Sequence, residues 1–223
     1  MPTLDRDDDV LVLDIGDTEN RFHPDWLTSV NAALDEVREA GGPRALVLAA
    51  TGKFFSNGLD LAWVMANPEQ LRDYVTNVHE LFARVLELPC VTVAAIQGHA
   101  FAAGAMLTLA CDFRVMRADR GYWCLPEVDI KIPFTFGMNA LISARLTPQT
   151  AHQAMTTGHR FDSASAVAAG IVDQAVAEHE VRGTAIALAR PLTDKAGDTL
   201  GTIKQRLYRP VLDVLRDADA QSL

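Results

Sequence analysis

Val91-Thr92-Val93-Ala94-Ala95-Ile96 is an unbroken apolar run that leads through Gln97 into Gly98-His99-Ala100-Phe101-Ala102-Ala103-Gly104. That glycine-bounded stretch opens directly onto Ala105-Met106-Leu107-Thr108-Leu109-Ala110. An apolar run of this length, preceded by Pro89, reads as a strand. The residues after Gly98 read as a turn into a short apolar helix, and Phe113 to Met116 as a further strand.

The same order recurs upstream. Arg44 to Ala50 reads as another buried strand, followed by a loop of Gly, Lys, Ser and Asn. Asn67-Pro68-Glu69-Gln70 supplies a cap, a first-turn proline and a glutamine three residues after the cap. The helix it starts carries Leu71, Tyr74, Val75, Val78, Leu81, Phe82 and Val85 on one face, and Pro89 ends it. Earlier still, Val10 to Ile15 reads as a strand with the turn-like Gly16-Asp17-Thr18-Glu19-Asn20 behind it. Pro24 opens a helix with Trp26, Leu27, Val30, Leu34 and Val37 at helical spacing, stopped by Gly41-Gly42-Pro43. Strand and helix alternate, as in an α/β layered domain with right-handed crossovers.

Past residue 135 or so the pattern turns helical. Thr147 before Pro148 and Asp162 read as N-caps, and Gly170 closes the second helix before a short strand, Ile171-Val172. Longer helices are expected from Glu180 to Leu192 and from Leu200 to Asp217.

Composition narrows the classes of function. The chain has 223 residues, with 20 Lys+Arg against 29 Asp+Glu and a net charge of −9. That length suits one large domain, which needs no disulfide or metal to hold a core. An acidic balance argues against a broad nucleic-acid footprint but permits an anionic ligand held locally. Cys90, Cys111 and Cys124 are odd in number and lie in apolar runs, as reduced core residues would. The six histidines are scattered without zinc spacing. The acidic N-terminus has no apolar signal region, and no uncharged apolar stretch is long enough to span a membrane. A soluble, cytoplasmic protein is expected.

Two loops stand where open α/β sheets place ligands, at the C-terminal ends of predicted strands. They are Lys53-Phe54-Phe55-Ser56-Asn57-Gly58-Leu59-Asp60-Leu61 and Ile96 to Gly104. Small residues let a backbone approach a ligand closely, and free N–H groups at a helix start can hold developing negative charge. On spacing alone both loops also fit ordinary strand-to-helix turns, and neither is a phosphate loop.

Phe55-Ser56-Asn57-Gly58-Leu59-Asp60-Leu61 resembles the F-S-x-G-x-D-L loop of the crotonase (enoyl-CoA hydratase/isomerase) superfamily. Ala95 to Asp112 is similar to its A-I-x-G-x-x-x-G-G-G…L-x-x-x-C-D segment, and Leu125-Pro126-Glu127-Val128-Asp129-Ile130 to its P-E-x-x-x-G segment. Gly158 to Asp173 resembles the G-x…A…A…G-L-V-D segment that follows. Four motifs in order, within a match from about residue 10 to about 205, make a strong signal.

The resemblance implies a crotonase-like ββα superhelix with an acyl-CoA and oxyanion site over residues 1–145. A C-terminal helical region, 146–223, would cover the site and mediate a homotrimer or hexamer. It implies an acyl-CoA thioester as substrate, with no separate cofactor, no metal, no nucleic acid and no membrane, in fatty acid β-oxidation chemistry. The backbone N–H groups of Leu59 and Ala103 would stabilise an enolate-like anion. Ser56, Asn57, Gly58, Asp60, Ala102, Met106 and Pro126 would border the substrate, with Asp60 also capping the next helix. Hydratases of the family carry two glutamates; here one position is Met106 and the other is Glu127. Methionine cannot activate water, whereas a double-bond isomerase needs one base that moves a proton from C2 to C4. The pattern therefore resembles the Δ3,Δ2-enoyl-CoA isomerases, with Glu127 as proton carrier in an apolar pocket of Trp123, Leu125, Ile130 and Met106. Other enolate chemistry of the family, hydration included, and a catalytically silent acyl-CoA binder are the alternatives.

The remaining candidates have plainer expectations. Asp129, if its segment is extended, points to the side of Glu127, though a solvated or salt-bridged role fits better. His99 reads as structural and Lys53 as solvated, while Trp63, Val64 and Met65 fit an acyl tunnel or the core equally. Two departures from the family pattern stand out: alanines at 102 and 103 where glycines are usual, and a chain ending at Leu223, well before typical members do.

Overall fold

Strands of two sheets alternate along the chain, and the alternation sets where the site lies. In the computed structural model, which describes residues 1–217, β1 (Thr3–Asp7) and β2 (Val10–Asp14) form an antiparallel hairpin, followed by α1 (Pro24–Glu39). Then come β3 (Ala45–Ala49), β4 (Phe54–Ser56), α2 (Leu61–Ala66) and α3 (Leu71–Leu86). The unit repeats as β5 (Val91–Ile96), β6 (His99–Phe101) and α4 (Ala103–Ala110), and again as β7 (Phe113–Arg117), β8 (Trp123–Cys124) and α5 (Glu127–Ile130). Helices α6 (Phe136–Arg145), α7 (Pro148–Thr157) and α8 (Ser163–Ala168) precede β9 (Gln174–Val176). The described chain closes with α9 (Val181–Ala189), α10 (Asp198–Leu207) and α11 (Arg209–Arg216).

The large sheet has the order β1-β2-β3-β5-β7-β9 and is parallel from β2 onward. The small sheet, β4-β6-β8, is parallel throughout. Each repeat thus places one strand in each sheet before its helix, which is the ββα superhelix expected from the motifs.

Alternation within buried strands explains the layering. In β3, Ala45, Val47 and Ala49 face α9, while Leu46 and Leu48 face the main core. Small residues on both partners, Ala185 and Ala189 included, let α9 lie against the sheet. The main core is filled from α1, α3 and α4, and every residue of α4 is buried. It also takes in Leu146, Ala151, Phe161, Leu212 and Leu215 from beyond residue 145.

Several local expectations change. The strands of the small sheet are two or three residues long and lie inside segments that read as loops. Asn67 makes no side-chain cap: Pro68–Gln70 is a 3-10 turn, with α2 before it. Ile171 and Val172 are buried but form no strand; β9 begins at Gln174. Pro191 ends the helix expected to reach Leu192, and Pro210 at the start of α11 splits the last one. The acidic N-terminus is strand β1, with Asp7 and Asp8 each 2.7 Å from Arg190. All three cysteines are buried and unpaired. No described helix is long and apolar enough to cross a membrane, and residues 218–223 of the expected C-terminal region lie outside the described residues.

Candidate active site

Where β4 ends, the chain turns through Asn57-Gly58-Leu59 against the start of α4. Gly58 has φ +76°, and a Cβ there would lie 2.7 Å from the Ala103 nitrogen. The two loops are therefore in backbone contact, and only glycine allows both the conformation and the approach. Asp60 follows and caps α2, its carboxylate accepting from Trp63 N–H at 3.1 Å, as expected.

The peptide dipoles on the two loops are fixed from behind. The Gly58 carbonyl accepts from Phe22 N–H at 2.8 Å, and the Ala102 carbonyl accepts from Met106 N–H at 3.0 Å. All described peptides are trans, so the N–H groups of Leu59 and Ala103 point away from those bonds. Among the described residues neither has an acceptor, and both residues border one cavity of about 220 Å³. Ala103 begins α4, so its N–H also carries the positive end of the helix dipole. Ala102, just before it, holds φ +51° and ψ −128°. That conformation costs an alanine about 1–3 kcal/mol, and strain of this kind gathers at working sites.

Glu127 comes to the same cavity from α5, a single turn after Pro126. It is only 6% exposed. Burial pushes its carboxyl up to about 7, and Oε2 has no hydrogen-bond partner among the described residues. Met106, Ile130 and Met138 make the surroundings apolar. One carboxyl group poised near neutrality and two unspent N–H donors share a largely apolar space, which is what proton abstraction beside a carbonyl requires.

Of the expected site residues, Asn57, Leu59, Ala102, Ala103, Met106, Pro126 and Glu127 all border this cavity. Ser56 does not: it is fully buried behind the loop, donating to the Asn20 carbonyl at 2.7 Å and accepting from Gly58 N–H at 3.0 Å. Gly58 and Asp60 likewise shape the loop without lining the cavity. Trp123 and Leu125 are fully buried and do not border the cavity. The Trp123 indole instead donates to Thr108 Oγ1 at 3.0 Å. Because residues 127–130 are a helical turn, Asp129 leaves the side of Glu127 and sits exposed against Gly158. His99 lies among Phe54, Phe101 and Tyr122, its Nδ1 accepting from Tyr122 N–H at 3.2 Å. Lys53 is exposed with its ammonium 5.1 Å from the Phe54 ring centre. Trp63 and Val64 pack on the core and Met65 is 82% exposed; none borders the cavity.

Sequence reasoning missed Arg21, Phe101, Ile132, Pro133 and Met138 on the cavity wall. Nothing in the sequence singled out Arg21, which follows the turn-like Gly16–Asn20.

Known proteins share this chain's sequence pattern and fold. The profile described as enoyl-CoA hydratase/isomerase matches residues 7–222. Enoyl-CoA delta isomerase 3 of Arabidopsis thaliana is 35% identical, over 100% of this chain and 98% of its own. The peroxisomal enoyl-CoA delta isomerase 2 of the same plant is 33% identical, over 96% and 95%. The crystal structure of an enoyl-CoA hydratase from Mycobacterium ulcerans superposes with a TM-score of 0.88 at 29% identity, covering 99% of this chain and 97% of that one. With its ββα superhelix and paired backbone donors facing a buried carboxyl group, the chain belongs to the enoyl-CoA hydratase/isomerase family and is an enzyme of the crotonase superfamily, with isomerase or hydratase chemistry.

Proposed function

We propose that the enzyme moves the double bond of a 3-enoyl-CoA to the 2-position through a dienolate. The Glu127 carboxylate takes a proton from C2, and the electron pair of that C–H bond spreads over the thioester oxygen and C4. The N–H groups of Leu59 and Ala103 receive the oxygen's charge. Glu127, now protonated, returns its proton to C4, so the shuttle ends as it began. A preformed donor pair needs no reorganisation as charge develops, and losing one such donor typically costs about 10²–10³ in rate. No cofactor beyond the CoA thioester is required.

The observation that carries this reading is the single carboxyl group that the described residues bring to the cavity, with buried Met106 on the same wall. Hydration needs a second polar group to orient water, and Met106 offers none. An adjoining cleft of about 620 Å³ shares Glu127, Ile132 and Pro133 with the cavity and gives an acyl tail room beyond C4. Exposed apolar side chains at Val128, Ile130 and Phe136 support self-association into a trimer or hexamer, with the helices after residue 145 helping to cover the site. The unpaired thiols fit a reducing compartment, and the cytoplasm is our reading.

Incubating the protein with 3-enoyl-CoA and, separately, 2-enoyl-CoA, and following double-bond position by NMR, tests the proposal. Interconversion of the two is expected. Formation of 3-hydroxyacyl-CoA without interconversion makes the enzyme a hydratase, and binding without turnover makes it a silent scaffold.

A further inference from the structure

We infer that Asn20 and Ser56 are positioning residues that aim the Leu59 donor, so that the turn after β2 sets the geometry of the oxyanion site. The inference rests on the proposed role of Leu59 N–H and deepens it.

Neither side chain reaches the cavity. Asn20 is 3% exposed and sits at φ +47°, a conformation asparagine tolerates better than most residues. Its amide donates to the carbonyls of Phe55 at 2.9 Å and Gly16 at 3.1 Å, tying its turn to β4. Its own carbonyl accepts from the Ser56 hydroxyl at 2.7 Å, and that hydroxyl accepts from Gly58 N–H at 3.0 Å. Asn57 N–H, one residue earlier, donates to the Glu19 carbonyl at 2.9 Å, and on the far side of the Gly58 Cα the Gly58 carbonyl accepts from Phe22 N–H at 2.8 Å. Both peptide groups flanking the Gly58 Cα are therefore held: one by Ser56, the other by Phe22. The second of these is the peptide that carries Leu59 N–H.

Gly58 is the most freely rotating residue type, and left alone it would let that peptide swing. Hydrogen bonds weaken steeply away from linearity, and a misplacement of about 1 Å at a reacting centre can cost about 10²-fold in rate. Serine suits the relay because one small hydroxyl donates and accepts at once. The space allows little more, since a Cβ on Gly104 would lie 2.7 Å from Ser56 Oγ.

The test uses Ser56→Ala and Asn20→Gly, which keeps the main-chain carbonyl and the positive φ while removing the amide. For Ser56→Ala, kcat is expected to fall about 10- to 100-fold with KM within about threefold of wild type. The rising pH limb of kcat/KM set by the base should stay in place. By NMR, the Leu59 amide should shift on binding a saturated acyl-CoA in wild type and shift less in both variants. Asn20→Cys and Ser56→Cys, which supply only weak sulfur partners, should not restore kcat. A Ser56→Ala enzyme with wild-type kcat, or one that merely melts earlier, overturns the inference even if Asn20→Gly fails to fold. A wild-type protein whose Leu59 amide does not respond to the thioester overturns the proposed role of that donor instead, and is recognised before any variant is made.

Discussion

Met106 and Glu127 stand on the walls of one cavity, the thioether 1% exposed and the carboxyl group 6% exposed. Among the described residues Glu127 consequently has no second carboxylate in the cavity to share a proton with, and burial outweighs a backbone hydrogen bond in setting its acidity. Met106→Glu should disturb this. A second buried carboxyl group raises the pKa of its neighbour through like-charge repulsion. The rising limb of isomerase kcat/KM, expected near pH 7 in the wild type, should move to higher pH. Hydration of 2-enoyl-CoA, measured in parallel, should become detectable. An unchanged limb would separate the two residues electrostatically and sink the argument.

Replacing Glu127 by Gln removes the proton carrier and should lower isomerisation by about 10²–10⁴-fold. It should also stabilise the fold at neutral pH. Unfolded, the carboxyl titrates at 4.5; folded, at about 7. Between those values the folded chain holds a proton that the unfolded one has lost, so stability falls as pH rises, by up to about 3 kcal/mol above pH 7. Denaturant midpoints of Glu127→Gln and wild type should therefore diverge at pH 8 and converge at pH 4. Parallel curves would mean that Glu127 is better solvated than the structure shows.

Glu127, Leu59 and Ala103 were singled out through the family resemblance, whose motifs are local, a Pro-Glu step and two small-residue turns; spacing alone left those turns ordinary. Asn20 and Phe22 were not, because their bonds to the Gly58 loop run from backbone or amide groups and leave no side-chain pattern. The small sheet hid for a different reason. Strands of two or three residues such as Trp123–Cys124 are too short to show a period. Trp123 and Leu125 were expected on the cavity wall for a related reason, since neighbours in sequence were taken for neighbours in space. Ile132, Pro133 and Met138 reach the cavity only when the chain past α5 folds back, which spacing along the sequence does not encode.

His79 is a buried base outside the site. Its Nε2 is 2.8 Å from Thr135 Oγ1, which also caps α6 by accepting from Met138 N–H. Burial lowers the imidazole from 6.5 to about 4. Between those values the unfolded chain binds the proton and the folded one does not, so stability drops as pH falls, by up to about 3 kcal/mol. This slope opposes that of Glu127 over the shared range, and wild-type stability should vary little between pH 4.5 and 6.5 on their account. In Glu127→Gln the His79 slope stands alone, and acid titration of its unfolding free energy should show a fall below pH 6.5. Adding His79→Gln should flatten it; a slope that persists would belong to another group.

Ala102 and Gly58 make a contrasting pair, one a strained alanine and the other an obligatory glycine. Ala102→Gly relieves a conformation costing about 1–3 kcal/mol while adding about 0.4–1 kcal/mol of unfolded-chain entropy. A net gain of about 1 kcal/mol should raise Tm by about 2–4 °C in a domain of this size. Ala103 keeps its N–H and its place at the start of α4, so kcat should stay within about threefold of wild type. Gly58→Ala should do the reverse. Its Cβ meets the Ala103 nitrogen at 2.7 Å with φ at +76°, so the loop must retreat from α4 and the donor pair opens. Losing one donor predicts a fall in kcat of about 10²–10³-fold. Thermal melts and steady-state kinetics on the two variants check both halves. A lower Tm for Ala102→Gly would show that the alanine sits comfortably in its turn, and an active Gly58→Ala would show that the two loops need not touch.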